Sequence, residues 1–157
     1  MRSIRKRRLS KKTDYAARLA LLKSSFPRLV VRRTNRYMIV QIVESEQAKD
    51  KVLLGITSKV LLEKGWSKEH EGSLKNKAAS YLTGYILGKM AVDKEIKAAI
   101  LDTGMHRNVH KSRLYAVLKG AIDSGLKIPC NKDALPTDEE LSKETKFKEM
   151  ITKIKKK

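Results

Sequence analysis

Basic side chains gather in three stretches of this 157-residue sequence, and none of the three contains an acidic residue. The clusters consist of Arg2, Arg5, Lys6, Arg7, Arg8, Lys11 and Lys12; of Arg28, Arg32, Arg33 and Arg36; and of His106, Arg107, His110, Lys111 and Arg113. Like charges at this density repel one another unless an anion lies against them. The chemistry that the clusters predict is therefore the binding of a polyanion.

The whole chain has the same bias, with 36 lysines and arginines against 17 acidic residues and a formal net charge of +19. Such a surplus favours a nucleic acid as partner, and an anionic membrane surface or an acidic protein is the weaker candidate. No secretory signal or membrane span is predicted from the sequence. The single cysteine, Cys130, excludes an intrachain disulfide and is typical of a reducing compartment.

The middle cluster surrounds a predicted tight turn at Thr34 and Asn35. Arginine suits phosphate because its planar guanidinium forms two parallel hydrogen bonds or stacks on a base. Asn35 is expected to adopt the positive φ that a tight hairpin needs. Tyr37 borders the turn, and two interpretations stay open: the ring stacks on an unpaired base, or it packs in the core.

The last cluster leads into a predicted helix with Ser112 as its N-cap. Backbone N–H groups at a helix start favour a phosphate, and cationic side chains there make an external anion still more favourable. His106 and His110 stand four residues apart, but no third ligand lies near them in the sequence. We therefore predict neither a metal site nor a cofactor.

Catalysis has little support in the sequence. A nuclease of α/β build needs several carboxylates that converge on a metal, and Asp102 is the best single acid at the end of a predicted strand. Since Thr103 and Gly104 follow it, Asp102 is expected to shape the turn or to orient a basic side chain. No phosphate-binding loop, dinucleotide fingerprint or nucleophile elbow occurs. A metal-dependent nucleic-acid enzyme is the alternative hypothesis.

The hydrophobic pattern predicts how these clusters are positioned. A helix with Thr13 as N-cap precedes a hairpin of two apolar, β-branched strands, and a third strand occupies residues 51–58. A short helix ends at Gly65. A longer helix covers 74–91, where Gly84 and Gly88 predict a close approach to the sheet. A fourth strand at 97–104 and a helix that stops at Gly125 complete a three-layer α/β domain with a mixed sheet.

This pattern divides the chain into three parts. Residues 1–12 show no apolar periodicity and are interpreted as a basic arm that orders on RNA. Residues 13–130 form the α/β domain, and residues 131–157 form a lysine-rich, partly helical tail.

Four segments together resemble the large-subunit ribosomal protein eighteen family, whose eukaryotic relative is numbered five. They are "KKTDYAARLALL", "PRLVVRRTNRYMIVQIV", "GSLKNKAASYLTGYILGKMA" and "ILDTGMHRNVHKSRLYAVLKGAIDSGLKIP". Their order and spacing agree with the family over about residues 11 to 130, and the start and tail are similar to the archaeal form.

The resemblance implies a fold similar to the ribonuclease H-like architecture without its metal-binding acids. It further implies a non-enzymatic, cytoplasmic ribosomal protein that binds 5S rRNA. The protein would join 5S rRNA to the large-subunit rRNA in the central protuberance, beside ribosomal protein five of the bacterial and archaeal numbering. No membrane and no small-molecule substrate is implied.

The resemblance also implies roles for individual residues. The family's RNA-facing hairpin matches Arg28, Arg32, Arg33, Thr34, Asn35 and Arg36. The segment where the arm meets RNA matches Thr13 and Tyr15, and the loop after the fourth strand matches His106, Arg107, Ser112 and Arg113. The predicted RNA-binding set is completed by Arg5, Lys6, Arg7, Arg8, Lys11, Lys12, Tyr37, His110 and Lys111.

This chain departs from the family at two positions and in its tail. Relatives usually have glycine where Lys111 stands, so we expect the backbone to lie farther from RNA and Lys111 to contact phosphate instead. Relatives often have proline where Lys77 stands, which bears on a helix start. The C-terminal part is short for an archaeal member.

Overall fold

A computed structural model of the chain describes residues 6–10, 12–47, 49–141, 151, 152 and 154. Its sheet has four strands in the order β3-β2-β1-β4. The strands are β1 (Arg28–Arg33), β2 (Met38–Glu46), β3 (Lys49–Thr57) and β4 (Ile100–Asp102). β1, β2 and β3 are antiparallel neighbours, whereas β4 runs parallel to β1. The predicted mixed α/β sheet, with its hairpin and its strand reached by a helical crossover, is confirmed.

The described residues contain six α-helices that flank this sheet. They are α1 (Lys6–Leu9), α2 (Tyr15–Leu22), α3 (Val60–Glu63), α4 (Lys77–Asp93), α5 (Arg113–Asp123) and α6 (Asp138–Leu141). Short 3-10 segments occupy Lys68–Ser73 and Lys132–Ala134. α1 is a single helical turn in a region where the sequence predicted no regular structure. No helix within the described ranges is both long and apolar enough to span a bilayer.

The main core lies on one face of the sheet. Alternate residues of a strand point to the same face, and the register places Leu29 opposite Ile42 and Val31 opposite Val40. All four of these side chains are completely buried. α4 packs on β2 and β3, and α5 packs on β1, so these two helices cover that face.

Three glycines allow α4 and α5 to pack closely together. A Cβ atom on Gly84 would lie 2.1 Å from the carbonyl oxygen of Val117, and one on Gly120 would lie 2.0 Å from that of Tyr81. A Cβ atom on Gly88 would meet Ser124. The expectation that the α4 glycines approach the sheet is therefore wrong, because the surface they approach is α5.

Two helices begin at residues that differ from the predicted ones. Asp14, not Thr13, caps α2, because its Oδ1 accepts hydrogen bonds from the backbone N–H groups of Ala16 and Ala17 at 3.0 and 3.2 Å. Asn76 caps α4, so Lys77 is the first residue of that helix. The first helical position is one where proline is favoured as well.

The turn between β1 and β2 forms without the positive φ predicted for Asn35. The backbone N–H of Thr34 donates to the carbonyl of Tyr37 at 2.9 Å, and the Thr34 hydroxyl bonds to the backbone of Tyr37 twice. These bonds close a four-residue turn, and the left-handed conformation is not needed. Within the described residues, positive φ at non-glycine positions occurs at Gln47, Glu95 and Lys111.

Candidate nucleic-acid interface

Asp102 connects two arginines of β1 on the second face of the sheet. Its register partner is Val30, so Asp102 shares a face with the residues two positions either side of Val30. Arg28 Nη1 donates to Asp102 Oδ2 at 2.6 Å, and Arg32 Nη2 donates to Oδ1 at 2.9 Å. The same Oδ1 accepts the backbone N–H of Gly104 at 2.8 Å. The prediction that Asp102 shapes the turn or orients a basic side chain is confirmed in both respects.

Arg28 is a structural residue in this arrangement. It is 3% exposed, and its Nη2 donates to Asp50 Oδ1 at 2.8 Å and to Ser45 Oγ at 2.9 Å. Partial burial raises the pKa of the Asp50 carboxyl, but hydrogen bonds from Ser45 and Arg18 and the charge of Arg28 bring that pKa below its ordinary value. A guanidinium enclosed by two carboxylates has no access to an RNA phosphate, so the predicted contact by Arg28 is corrected.

Arg32 is held at the surface by the same carboxylate. Its Nη1 donates to the carbonyl oxygens of Asp102 at 2.8 Å and of Val31 at 2.9 Å, and the side chain is 38% exposed. Within the described chain these bonds use three of the five guanidinium N–H hydrogens, which leaves two for an external acceptor. Gly104 makes this position possible, because with φ +60° a Cβ there would lie 2.8 Å from Arg32 Cζ.

His106 joins the loop after β4 to the end of β1. Its Nε2 accepts the backbone N–H of Arg33 at 3.1 Å. Burial lowers the pKa of the imidazole below its ordinary value, and the positive charges of Arg32 and Arg33 lower it further. The neutral ring that results is the form able to accept this bond. Two of the three predicted clusters therefore meet here.

The N-terminal arm reaches the same place. Arg7 Nε donates to Thr13 Oγ1 at 2.9 Å, which ties α1 to the segment before α2. Arg7, Lys12 and Thr13 border a groove of about 490 Å³ with Arg32 and the loop after β4. We call this cavity the arm groove.

Lys111, near the end of the third cluster, contacts the segment after α5 and does not line the arm groove. The Lys111 backbone N–H donates to the carbonyl of Ala134 at 2.8 Å, and its Nζ forms an ion pair with Glu140 at 3.1 Å. Lys111 has φ +56°, a backbone conformation that favours glycine over residues with a side chain. Ser112 occupies the N-cap position of α5 as predicted, but its hydroxyl makes no capping bond.

The remaining predicted residues are distributed around this site. Lys6, Arg8, Arg33, Thr34, Asn35, Arg36, Arg107 and His110 are exposed, Tyr15 and Arg113 are half-buried, and Arg5 and Lys11 lie outside the described residues. Tyr37 packs against the core, and Lys59 Nζ lies 5.4 Å from its ring centroid. These contacts favour the core interpretation of Tyr37.

Arg18 and Met105 also line the arm groove, although neither was predicted from the sequence. Arg18 forms an ion pair with Asp50 at 3.0 Å, and the two residues are 32 positions apart in the chain. No local pattern predicts such a pair. Met105 did carry a signal, because it is a large apolar side chain beside a basic cluster, and it is 54% exposed.

An α/β domain in which the end of β1, the loop after β4 and the N-terminal arm bring basic side chains close together has the chemistry of a polyanion-binding protein. A family model described as "Ribosomal large subunit proteins 60S L5, and 50S L18" matches residues 2–98 and 93–131. The chain belongs to this family, and the resemblance of its four segments is confirmed.

Three similar relatives are each named "Large ribosomal subunit protein uL18". The Aeropyrum pernix protein is 42% identical over 135 residues, which cover 85% of this chain and 61% of the relative. The Korarchaeum cryptofilum protein is 45% identical over 136 residues, covering 87% and 68%. The Caldivirga maquilingensis protein is 40% identical over 140 residues, covering 88% and 66%. The chain thus matches about two thirds of the length of these relatives.

Proposed function

We propose that this protein is a structural, non-catalytic constituent of the large ribosomal subunit in the cytoplasm. It binds 5S rRNA and joins it to the large-subunit rRNA in the central protuberance, beside ribosomal protein five. Family membership and the net charge of +19 support this proposal. The observation that carries it is the convergence of Arg32, His106 and the N-terminal arm at the carboxyl end of β1.

The proposed interface, which we call the cationic face, omits Arg28 and Tyr37. It consists of Arg7, Lys12, Arg32, Arg33, Arg36, His106 and Arg107. Phosphate contacts from such residues supply affinity and set the orientation of the protein on the RNA. The remaining arm residues add contacts as the arm follows the RNA. Asp102 holds Arg32 in place before any RNA binds.

Binding of 5S rRNA as a function of salt tests this proposal. Replacing both Arg33 and Arg36 with alanine should weaken binding and reduce the slope of log K against log salt by roughly 0.7–0.9 for each phosphate that the protein no longer neutralises. The matched control replaces Lys94 and Lys97, which are exposed and lie before β4 rather than after it. An unchanged slope in the arginine variant, or an equal decrease in the lysine variant, would show that the cationic face does not contact the RNA.

A metal-dependent nucleic-acid enzyme of ribonuclease H-like fold was the alternative hypothesis. Asp102, the acid that such an enzyme would use, is engaged by Arg28 and Arg32. Within the part of the chain that the structure describes, no three His, Cys, Asp or Glu side chains are grouped to hold a metal ion. An assay for magnesium-dependent cleavage of 5S rRNA separates the two hypotheses, because only the enzyme would shorten the RNA.

A further inference from the structure

The arm groove combines a cationic rim with an apolar floor. Arg7, Lys12, Arg18 and Arg32 border it, and Ala17 and Leu21 of α2 lie opposite Leu101 and Met105. α2 has an apolar sequence, YAARLALL, yet none of its residues is buried. A helix of this composition normally packs its apolar side against another surface. The residues of α2 that line the groove are only partly covered, since Ala17 is exposed and Leu21 is half-buried.

The charges in the arm groove favour an anion with an apolar part. Its two carboxylates are already engaged, since Asp14 caps α2 and Asp102 binds Arg28 and Arg32. Arg18 and Arg32 already form ion pairs with Asp50 and Asp102, so among the described residues the surplus positive charge of the rim lies on Arg7 and Lys12. A phosphate satisfies the rim, but only a group with a flat apolar surface also covers the floor. A nucleotide has both parts, and a volume of about 490 Å³ gives room for one.

We propose that the arm groove binds one nucleotide that is turned out of the bound RNA. Its base lies between α2 and Met105, and its phosphate contacts Arg32 and the arm. Unstacked bases are the usual targets of specific RNA recognition, whereas the cations of the rim alone do not distinguish one RNA from another. This inference rests on the proposed function and adds to it a site that recognises a particular RNA conformation.

Filling the floor of the groove tests the inference. Ala17→Phe places a ring where the base would lie, and Ala16→Phe is the matched control, because Ala16 is equally exposed on the same helix and does not line the groove. Loss of one stacked base should weaken 5S rRNA binding roughly ten-fold or more. The slope against salt should stay unchanged because the cations remain. Ala16→Phe should bind as the parent protein does.

A second pair of variants guards against misfolding of Ala17→Phe, which thermal melting would reveal. Met105→Ala removes the opposite wall, and Val109→Ala is its control, an exposed apolar residue of the same loop outside the groove. Chemical probing of base edges in 5S rRNA should show one base that the parent protein protects and that Ala17→Phe and Met105→Ala leave reactive.

The outcomes separate this inference from the proposed function. If the parent protein prefers 5S rRNA to transfer RNA but both groove variants bind and protect it as their controls do, the nucleotide site is wrong and the function stands. If the parent protein shows no preference for 5S rRNA, the proposed function fails and the inference fails with it.

Discussion

The imidazole of His106 accepts the backbone N–H of Arg33 through Nε2 at 3.1 Å. This bond joins the loop after β4 to the last residue of β1, across 73 positions of sequence. It fixes the side chain of a loop residue against the arginine-rich hairpin. The relative position of two basic clusters therefore depends on the protonation state of one ring.

We expect stability to depend on pH through His106. Its pKa in the folded protein lies below the ordinary value of 6.5 because of burial and the nearby Arg32 and Arg33. Below pH 6.5, His106 binds a proton in the unfolded chain but remains neutral in the folded chain until the pH reaches its lower folded-state pKa. The free energy of unfolding therefore falls as the pH decreases between these two pKa values. Above pH 6.5 both states are neutral and the contribution is constant. Urea unfolding of the parent protein and of His106→Gln at pH 7.5 and 5.5 measures this, and an equal decrease in both proteins would exclude His106 as the cause.

Asp102→Ala should be strongly destabilising. It removes a carboxylate partner from the buried guanidinium of Arg28, and breaking a buried ion pair typically costs about 3–5 kcal/mol. We expect the lower end of this range because Asp50 and Ser45 still bond to Arg28. Denaturant unfolding gives the change in free energy. Asp133→Ala is the control, since Asp133 is an exposed acid in a 3-10 segment, and a destabilisation of similar size in both variants would contradict the prediction.

Gly104→Ala should impair both stability and RNA binding. A side chain at φ +60° costs roughly 1–2 kcal/mol, and the new Cβ would also displace the Arg32 guanidinium, which lies 2.8 Å away. Gly65→Ala separates the two effects, because Gly65 has φ +106° but nothing within 4 Å of its Cβ position. We expect both variants to lose stability and only Gly104→Ala to bind 5S rRNA more weakly. Equal binding by the two variants would show that the position of Arg32 is unimportant.

Lys111→Gly should stabilise the protein slightly. Glycine tolerates the φ of +56° that Lys111 adopts, while the exposed ion pair with Glu140, which this variant lacks, contributes little to stability. We expect a net gain of roughly 0.5 kcal/mol, since glycine also loses more conformational entropy on folding. Lys111→Ala keeps the backbone strain without the ion pair, so it should be less stable than the parent. Thermal melting of the three proteins gives the order, and a glycine variant that melts below the alanine variant would refute this account.

The local pattern of the sequence was sufficient to predict the four strands and the helices α2 to α5. Two nearly continuous runs of apolar, β-branched residues predicted the β1–β2 hairpin, and a 3.6-residue apolar stripe predicted α5 with its stop at Gly125, which has φ +108°. The charge clusters were equally visible because each is continuous in the chain. Hydrophobic periodicity and charge are local properties, so they need no knowledge of neighbouring elements.

Only the tertiary structure decided which charges are available to a partner. Arg28 and Arg32 are similar in sequence context, yet Arg28 is buried between Asp50 and Asp102 while Arg32 stays at the surface. The parallel pairing of β4 with β1 brings Asp102 to them across about 70 residues. Tertiary structure also decided which element packs against Gly84, whose neighbour is Val117 of α5. A buried charge needs an opposite charge close to it in space. Strand order and register decide which residue supplies that charge, and the adjacent residues of the sequence do not.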